Sequence, residues 1–414
     1  YLLFFYTDIF GLSPSSAGLV FFIAKIWDAI TDPIMGYIAD NTSTKWGKFR
    51  PYILFGSVPA LIMIILCFTS PDLSQSGKFY WALFTYITFT TLYTVIAIPV
   101  GSLIPAMTQD RDERTSLASF RFLGASSGSI AVAVLTLPLV GLFSSPQFGF
   151  PIVVAILAFF GAIFAFLCFY NTREIYSKPY EKRIGLHQII RMIFTNFPLH
   201  FVILALLTTW VANNTKQLTT IYFVKYNLNL EAYFSPILLG VILQIMFGAY
   251  LVNLIKHRFE KKTLFMIGTF LYVSTDLIIY FITGYENFWL FAFIASFGFI
   301  GFGMAGVMAW SMIADTIEYG EWKSGFRAEG LLNAAHVFVF KLSVGVSAWL
   351  AGFILETTNY VANAPSQSQE TLEGLTIMGF IFPAIAGTIA ITITYFNKYD
   401  SNFYEKIFTE LKQR

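Results

Sequence analysis

The sequence predicts an all-α membrane protein of twelve transmembrane helices, and three observations carry that prediction. Of 414 residues, 56% are hydrophobic and 12% charged, whereas a soluble domain carries about 25% charged residues. Apolar stretches of about 18 to 25 residues, the length needed to cross a bilayer, recur along the whole chain. Lys and Arg collect in alternate connections, as they do when basic loops stay on one side of a membrane. A packed soluble enzyme is thereby excluded. An outer-membrane barrel is excluded as well, because its strands alternate apolar and polar residues instead of forming long runs. A net charge of +2 offers none of the dense basic surface that nucleic acid requires.

In chain order the apolar runs are 1–11, 15–39, 52–70, 79–107, 115–142, 149–170, 195–224, 232–255, 263–284, 286–318, 329–355 and 371–396. The first is a stump, because no Met and no basic segment precede Tyr1-Leu-Leu-Phe-Phe-Tyr6, so the chain is expected to begin inside a truncated first helix. The polar stretch 171–194 holds five basic residues and reads as a linker between a six-helix bundle over 1–170 and a second over 195–396. Residues 397–414 form a basic tail. Lys45, Lys48, Arg50, Arg111, Arg114, the linker, Arg258, Lys261, Lys262, Lys323, Arg327 and the tail fall on one side, against Lys78 and Lys225 on the other. That side, with both termini, is expected to be cytoplasmic in a multi-pass bacterial inner-membrane protein.

The halves echo one another. Ser102-Leu-Ile-Pro-Ala-Met-Thr-Gln-Asp110 closes the fourth run, and Ser311-Met-Ile-Ala-Asp-Thr-Ile-Glu318 closes the tenth. Each precedes a charged turn and then a helix with one deep cation, Arg121 or Lys341. Parallel repeats of this kind are a mark of transporters.

Charges inside the runs carry the chemistry, since each costs on the order of 2.5–3.5 kcal/mol at the bilayer centre. Lys25, Asp28 and Asp32 stand at i, i+3 and i+7 and share one helix face. An ion pair accounts for one acid and leaves the second, so the stripe reads as a coupling-ion site for Na+ or H+, with Thr31 and Thr94 adding neutral oxygens. Lys216 lies in the polar string Asn213-Asn-Thr-Lys-Gln217, which reads either as a wet, polar lining or as a helix break. Asp276 has no partner within its helix and is assigned no role. Cys67 and Cys168 read as small core residues. The four His are scattered and no phosphate-binding glycine loop occurs, so no metal centre, resident cofactor or built-in ATPase is expected.

The connection after the second run reads Gly36-Tyr-Ile-Ala-Asp40, then Trp46-Gly-Lys-Phe-Arg-Pro51, and resembles the conserved loop of the major facilitator superfamily. Asp40 and Arg50 would latch neighbouring helices there. Trp27-Asp-Ala-Ile-Thr-Asp-Pro-Ile-Met-Gly36, Asp110-Arg-Asp-Glu-Arg114 and Ala314-Asp-Thr-Ile-Glu-Tyr-Gly-Glu321 narrow the resemblance. Together with Lys341 they resemble the melibiose-permease-like family of glycoside-pentoside-hexuronide:cation symporters, over essentially the whole chain.

That resemblance implies the facilitator fold of two six-helix bundles and a sodium site matching Asp28, Asp32 and Thr94, with Thr31 where the family has asparagine. It implies sugar contacts at Arg121 and Lys341, with Lys25 and Tyr93 nearby, and a gate at Asp40, Arg50, Arg114, Asp315, Glu318 and Glu321. Two positions depart from the family's galactoside chemistry: a sugar-binding aspartate is replaced by Ala97, and a tryptophan by Gly101. The implied activity is secondary transport, not enzymology: a cation-coupled, alternating-access symporter taking up a glycoside, pentoside (xyloside) or hexuronide, working as a monomer in the lipid bilayer. The alternatives are a cation-coupled lysolipid transporter and a non-transporting receptor or scaffold of the same fold.

Overall fold

A computed structural model describes residues 1–108, 111–175, 194–325, 329–399 and 401–413. The described residues are helical throughout, apart from connections and one isolated bridge between Thr44 and Gly47. The first helix, α1, is Leu2–Phe4 prolonged by a π-helical turn over Phe5–Ile9. It is followed by α2 (Pro14–Asn41), α3 (Arg50–Cys67), α4 (Gln75–Met107), α5 (Arg111–Val140) and α6 (Pro146–Asn171). Then come α7 (Phe197–Tyr222), α8 (Phe234–Ile255), α9 (Lys261–Ile278), α10 (Phe288–Ser324), α11 (Glu329–Thr357) and α12 (Gln369–Phe396). A final α13 covers Ser401–Gln413.

Among the described residues nine helices are long and apolar enough to cross a membrane: α3, α4 and α6 to α12. The remaining three of the expected twelve segments are the short α1, α2 with its charged stripe, and α5, whose apolar part is Ser127–Val140. Starts are set by side chains that satisfy the free N–H groups of a first turn. Ser13 accepts from Ser16 N–H at 3.4 Å, Ser74 from Gly77 N–H at 3.2 Å, and Asn196 from Leu199 N–H at 3.2 Å. At the other end of α10, Gly325 takes φ +78°, a left-handed conformation that costs glycine little and stops the helix. The chain stays helical six residues beyond the run expected to end at 318, because nothing before Gly325 breaks it.

Contacts divide the chain into two compact units, Tyr1–Glu181 and Lys182–Arg414. In the first, α4 packs against α2 and α3, and α3 against α6. Met35, Ile53, Leu103 and Ala106 are buried where α2, α3 and α4 meet. In the second, α10 is wedged between α8 and α9 at backbone contact. A Cβ at Gly268 would stand 2.5 Å from the Gly301 carbonyl oxygen, so only glycine permits that approach. Packing this close replaces the hydrophobic drive that lipid cannot supply between helices.

Similar π-helical turns close α1 and α7, as another over Ile279–Thr283 closes α9. Phe10 N–H bonds to Phe5 O and Leu12 N–H to Tyr6 O; Leu228 N–H bonds to Phe223 O and Leu230 N–H to Val224 O. The turns of α1 and α7 are each followed by a left-handed residue, Gly11 at φ +73° and Asn229 at φ +55°.

Candidate functional site

The α2 stripe folds as the spacing requires. Lys25 Nζ donates to Asp28 Oδ2 at 2.7 Å, one helical turn on, and the ammonium lies 5.6 Å from the centre of the Tyr86 ring. Asp28 is 2% exposed, so this pair is removed from water. A turn further, Asp32 Oδ1 accepts from the Thr94 hydroxyl of α4 at 2.8 Å. Trp27 Nε1 donates to Thr91 Oγ1 at 2.9 Å, so two polar ties fix α2 against α4. The structure thus brings Lys25, Asp28, Asp32 and Thr94 onto one α2–α4 seam. Thr31 lies among them, but its hydroxyl donates to its own helix, at 3.2 Å to Trp27 O and 3.3 Å to Asp28 O. Its oxygen lone pairs are left to act as acceptors.

This donor set suits a small cation. Two carboxylates and two hydroxyl oxygens offer hard oxygen ligands of the kind alkali and alkaline-earth ions take. With one of the two carboxylates already paired to Lys25, the charge provided suits one monovalent ion or a proton. Lys25 already supplies one positive charge to Asp28, and an arriving cation would share that carboxylate with the ammonium.

The expected sugar contacts divide. Ala97 and Gly101 lie one turn apart on α4. A Cβ at Gly101 would stand 3.7 and 3.9 Å from the two terminal nitrogens of Arg121 on α5. The guanidinium therefore sits over the space that the small residue leaves. Among the described residues it makes no ion pair or hydrogen bond, and it is exposed. Tyr93, on the same helix, is 56% exposed with its ring 6.2 Å from that of Phe89. Lys341 is half-buried on α11.

Of the expected gate, Asp40 and Arg114 have side chains outside the described residues, as do Asp110 and residues 176–193. Arg50 donates to Phe169 O at 3.1 Å through Nε and to Trp46 O at 3.2 Å, with its guanidinium 4.5 Å from the Phe169 ring. Asp315 pairs with Lys261 at 2.6 Å across α9 and α10. Glu318 and Glu321 are half-buried further along α10.

Sequence reasoning missed three arrangements. Asp276, assigned no role, is 1% exposed and forms an ion pair with Lys216 of α7. That helix runs unbroken through 213–217, which resolves the alternative of a break. Glu174 caps the start of α3, accepting the backbone N–H groups of Lys48, Phe49 and Arg50 at 2.7, 2.8 and 3.0 Å. The tail folds as α13 and docks on α10: Trp322 Nε1 donates to Glu410 at 2.6 Å, and the Tyr319 and Phe403 rings lie 6.0 Å apart. Burial there, with the Asp315 carboxylate nearby, pushes the Tyr404 phenol above its ordinary range.

Known proteins share the sequence and fold of this chain. The family model described as MFS/sugar transport protein matches residues 1–401. The chain is 35% identical over 403 residues to the uncharacterized symporter YjmB of Bacillus subtilis, covering 96% of this chain and 86% of that protein. It is 31% identical to the isoprimeverose transporter of Lactiplantibacillus pentosus, covering 100% and 87%. It is 32% identical to the putative glycoside/cation symporter YagG of Escherichia coli, covering 93% and 84%. In fold it matches the crystal structure of a bacterial homolog of the human lysosomal transporter Spinster, with a TM-score of 0.69 at 13% identity over 98% of this chain and 96% of that one. A multi-pass membrane transporter rather than an enzyme, the chain belongs to the MFS/sugar transport family, the group its acidic α2 stripe and Asp-Thr-Ile-Glu-Tyr-Gly-Glu string resemble.

Proposed function

We propose that the protein is a cation-coupled sugar symporter whose coupling ion, Na+ or H+, binds at Asp28 and Asp32 with Thr94 and Thr31. The observation that carries this reading is the seam itself: Lys25 on Asp28 at 2.7 Å and Thr94 on Asp32 at 2.8 Å, inside a segment where charge is costly. Two carboxylates sharing a face with one ammonium repel each other, and a bound cation relieves that repulsion. Ion binding loosens Lys25 from Asp28 and orders α2 against α4, the helix that carries Tyr93, Ala97 and Gly101. The ion thus raises sugar affinity on the same helix, and by linkage the sugar raises ion affinity equally.

The sugar is a glycoside, a pentoside such as a xyloside, or a hexuronide, held by Arg121 and Lys341. Names borne by the relatives, an isoprimeverose transporter and a glycoside/cation symporter, support that class. Ala97 and Gly101 remove the acid and the large ring that the galactoside chemistry uses, and Arg121 occupies the space beside Gly101. The distribution of Lys and Arg supports a cytoplasmic location for both termini, with Arg50, Asp315, Glu318 and Glu321 at that end as the gate of an alternating-access cycle.

The test is accumulation in proteoliposomes under an imposed sodium gradient and, separately, an imposed pH gradient, across a panel of radiolabelled sugars. Concentrative uptake under one gradient is expected in the wild type and is lost in Asp28→Asn and Asp32→Asn. Uptake that ignores both gradients, or survives both substitutions, rules the reading out.

A further inference from the structure

Within the first unit, a groove of about 420 Å³ lies where the end of α2 and the loop that follows it meet α3 and α4. Pro51, Phe55, Leu92 and Val95 form its walls, and Trp46 stands at its mouth. Phe55, Val58 and Ile62 are 58%, 56% and 51% exposed and stand three and four positions apart, so they share one stripe of α3. The helix that carries the stripe is long and apolar enough to cross a membrane. The groove therefore opens on a face built for hydrocarbon.

Its mouth is basic and preformed. The Thr44 hydroxyl donates to Gly47 O at 2.7 Å and accepts from Trp46 N–H at 3.2 Å, and Gly47 takes φ +107°, a left-handed conformation suited to glycine. This tight turn leaves Lys45 and Trp46 exposed. The Lys45 ammonium lies 4.7 Å from the centre of the indole, whose other contact is the Phe55 ring at 5.5 Å. One continuous surface thus leads from a cation, across an amphipathic ring, to an apolar wall. Among the described residues Lys45 has no acidic partner and the Trp46 indole N–H has no acceptor. Lys48 adds a second ammonium, 5.5 Å from the Phe49 ring.

The neighbouring polar groups are engaged elsewhere. Arg50 is turned to the Phe169 carbonyl, and the Glu174 carboxylate is held by the backbone N–H groups at the start of α3. The Thr42 hydroxyl donates to Ile38 O at 2.8 Å and accepts from the Tyr52 hydroxyl. What is left to a ligand is positive charge and one N–H donor at the mouth, with hydrocarbon contact below.

We propose that this groove holds an anionic phospholipid of the cytoplasmic leaflet. Its phosphate sits at Lys45 and Lys48 beside the Trp46 indole N–H, and one acyl chain lies along Phe55, Leu92 and Val95. In the orientation proposed above, the loop is at the membrane surface where lipids carry net negative charge and attract lysines. Tryptophan is the residue of that headgroup boundary. Membrane composition then acts directly on the end of α2, the helix of the acidic stripe.

The full chain in nanodiscs is titrated by mole fraction with phosphatidylglycerol brominated on its acyl chains, and in parallel with brominated phosphatidylcholine. Quenching of Trp46 is read as the difference between the wild type and Trp46→Phe. Phosphatidylglycerol should reach half-quenching at a mole fraction about fivefold lower, the preference that one lysine near an anionic surface provides. Lys45→Gln with Lys48→Gln should bring the two lipids level, whereas Lys45→Arg with Lys48→Arg should keep the preference. Lys45→Gln alone, at an exposed side chain, replaces the double variant if thermal melting shows that one to be unfolded. Trp46 quenching that is absent or equal for the two lipids, or a preference that survives loss of the lysines, would overturn the assignment. So would relief of quenching by glycerol 3-phosphate as strong as by unbrominated phosphatidylglycerol, which would make the mouth a site for a free phosphate. Sugar and coupling ion are absent from the titration, so the result stands apart from the symport reading.

Discussion

Each unit buries a lysine against an aspartate, and the two arrangements differ in what surrounds the pair. On α2, Lys25 shares its helix face with two acids, Asp28 and Asp32, and the second acid is tied to a hydroxyl of α4. In the second unit Lys216 and Asp276 balance one to one across α7 and α9, and three rings enclose the ammonium. Two acids on one face of a segment meant for lipid are the basis on which the seam is proposed as the ion site. The ring-enclosed pair of the second unit instead joins one base to one acid across two helices. Buried charge marks both places, and a second acid on the same helix face distinguishes the proposed ion site from the other.

That contrast can be broken by substitution. The largest effect belongs to Asp28→Ala, which strands the Lys25 ammonium and removes an ion ligand. Stability should fall by about 3 kcal/mol, read from thermal melting, and concentrative uptake should vanish. Adding Lys25→Met should restore much of the stability without restoring uptake. Asp276→Ala should cost a similar ~3 kcal/mol, yet the shift in sugar affinity on adding the coupling cation should persist; losing that shift would erase the distinction. Thr94→Val removes the hydroxyl on Asp32 while keeping its shape. A hydrogen bond to a charged group is worth roughly 1.5–3 kcal/mol, so cation affinity should weaken about tenfold or more in an ion titration of sugar binding. The smallest effect is expected from Glu174→Gln, which keeps an acceptor at the start of α3 but removes its charge. A loss of about 1 kcal/mol in melting is anticipated, with no change in ion dependence.

The helices were legible because a bilayer imposes one demand on every crossing, a continuous apolar run, and the chain states it repeatedly. Lys25 and Asp28 were legible because an i, i+3 spacing places them on one face whatever the tertiary structure does. Asp276 was not, since Lys216 is 60 positions away and no local spacing joins them. Glu174 was hidden likewise, reaching Lys48 across 126 positions. The loop motif drew attention to Arg50, but which carbonyls its guanidinium meets depends on where α6 ends. Five apolar residues interspersed with charge gave 401–413 no membrane signal, and its helix appears only through docking on Tyr319 and Trp322.

The α2–α4 seam is proposed to bind the ion that drives the sugar. Its most direct test is sugar affinity measured by isothermal titration in wild type and Asp32→Asn, across sodium concentration at fixed pH and then across pH without sodium. One of these cations is expected to tighten binding in the wild type by tenfold or more, and neither to do so in Asp32→Asn. Wild-type affinity independent of both cations, or an undiminished ion effect in the variant, would contradict it.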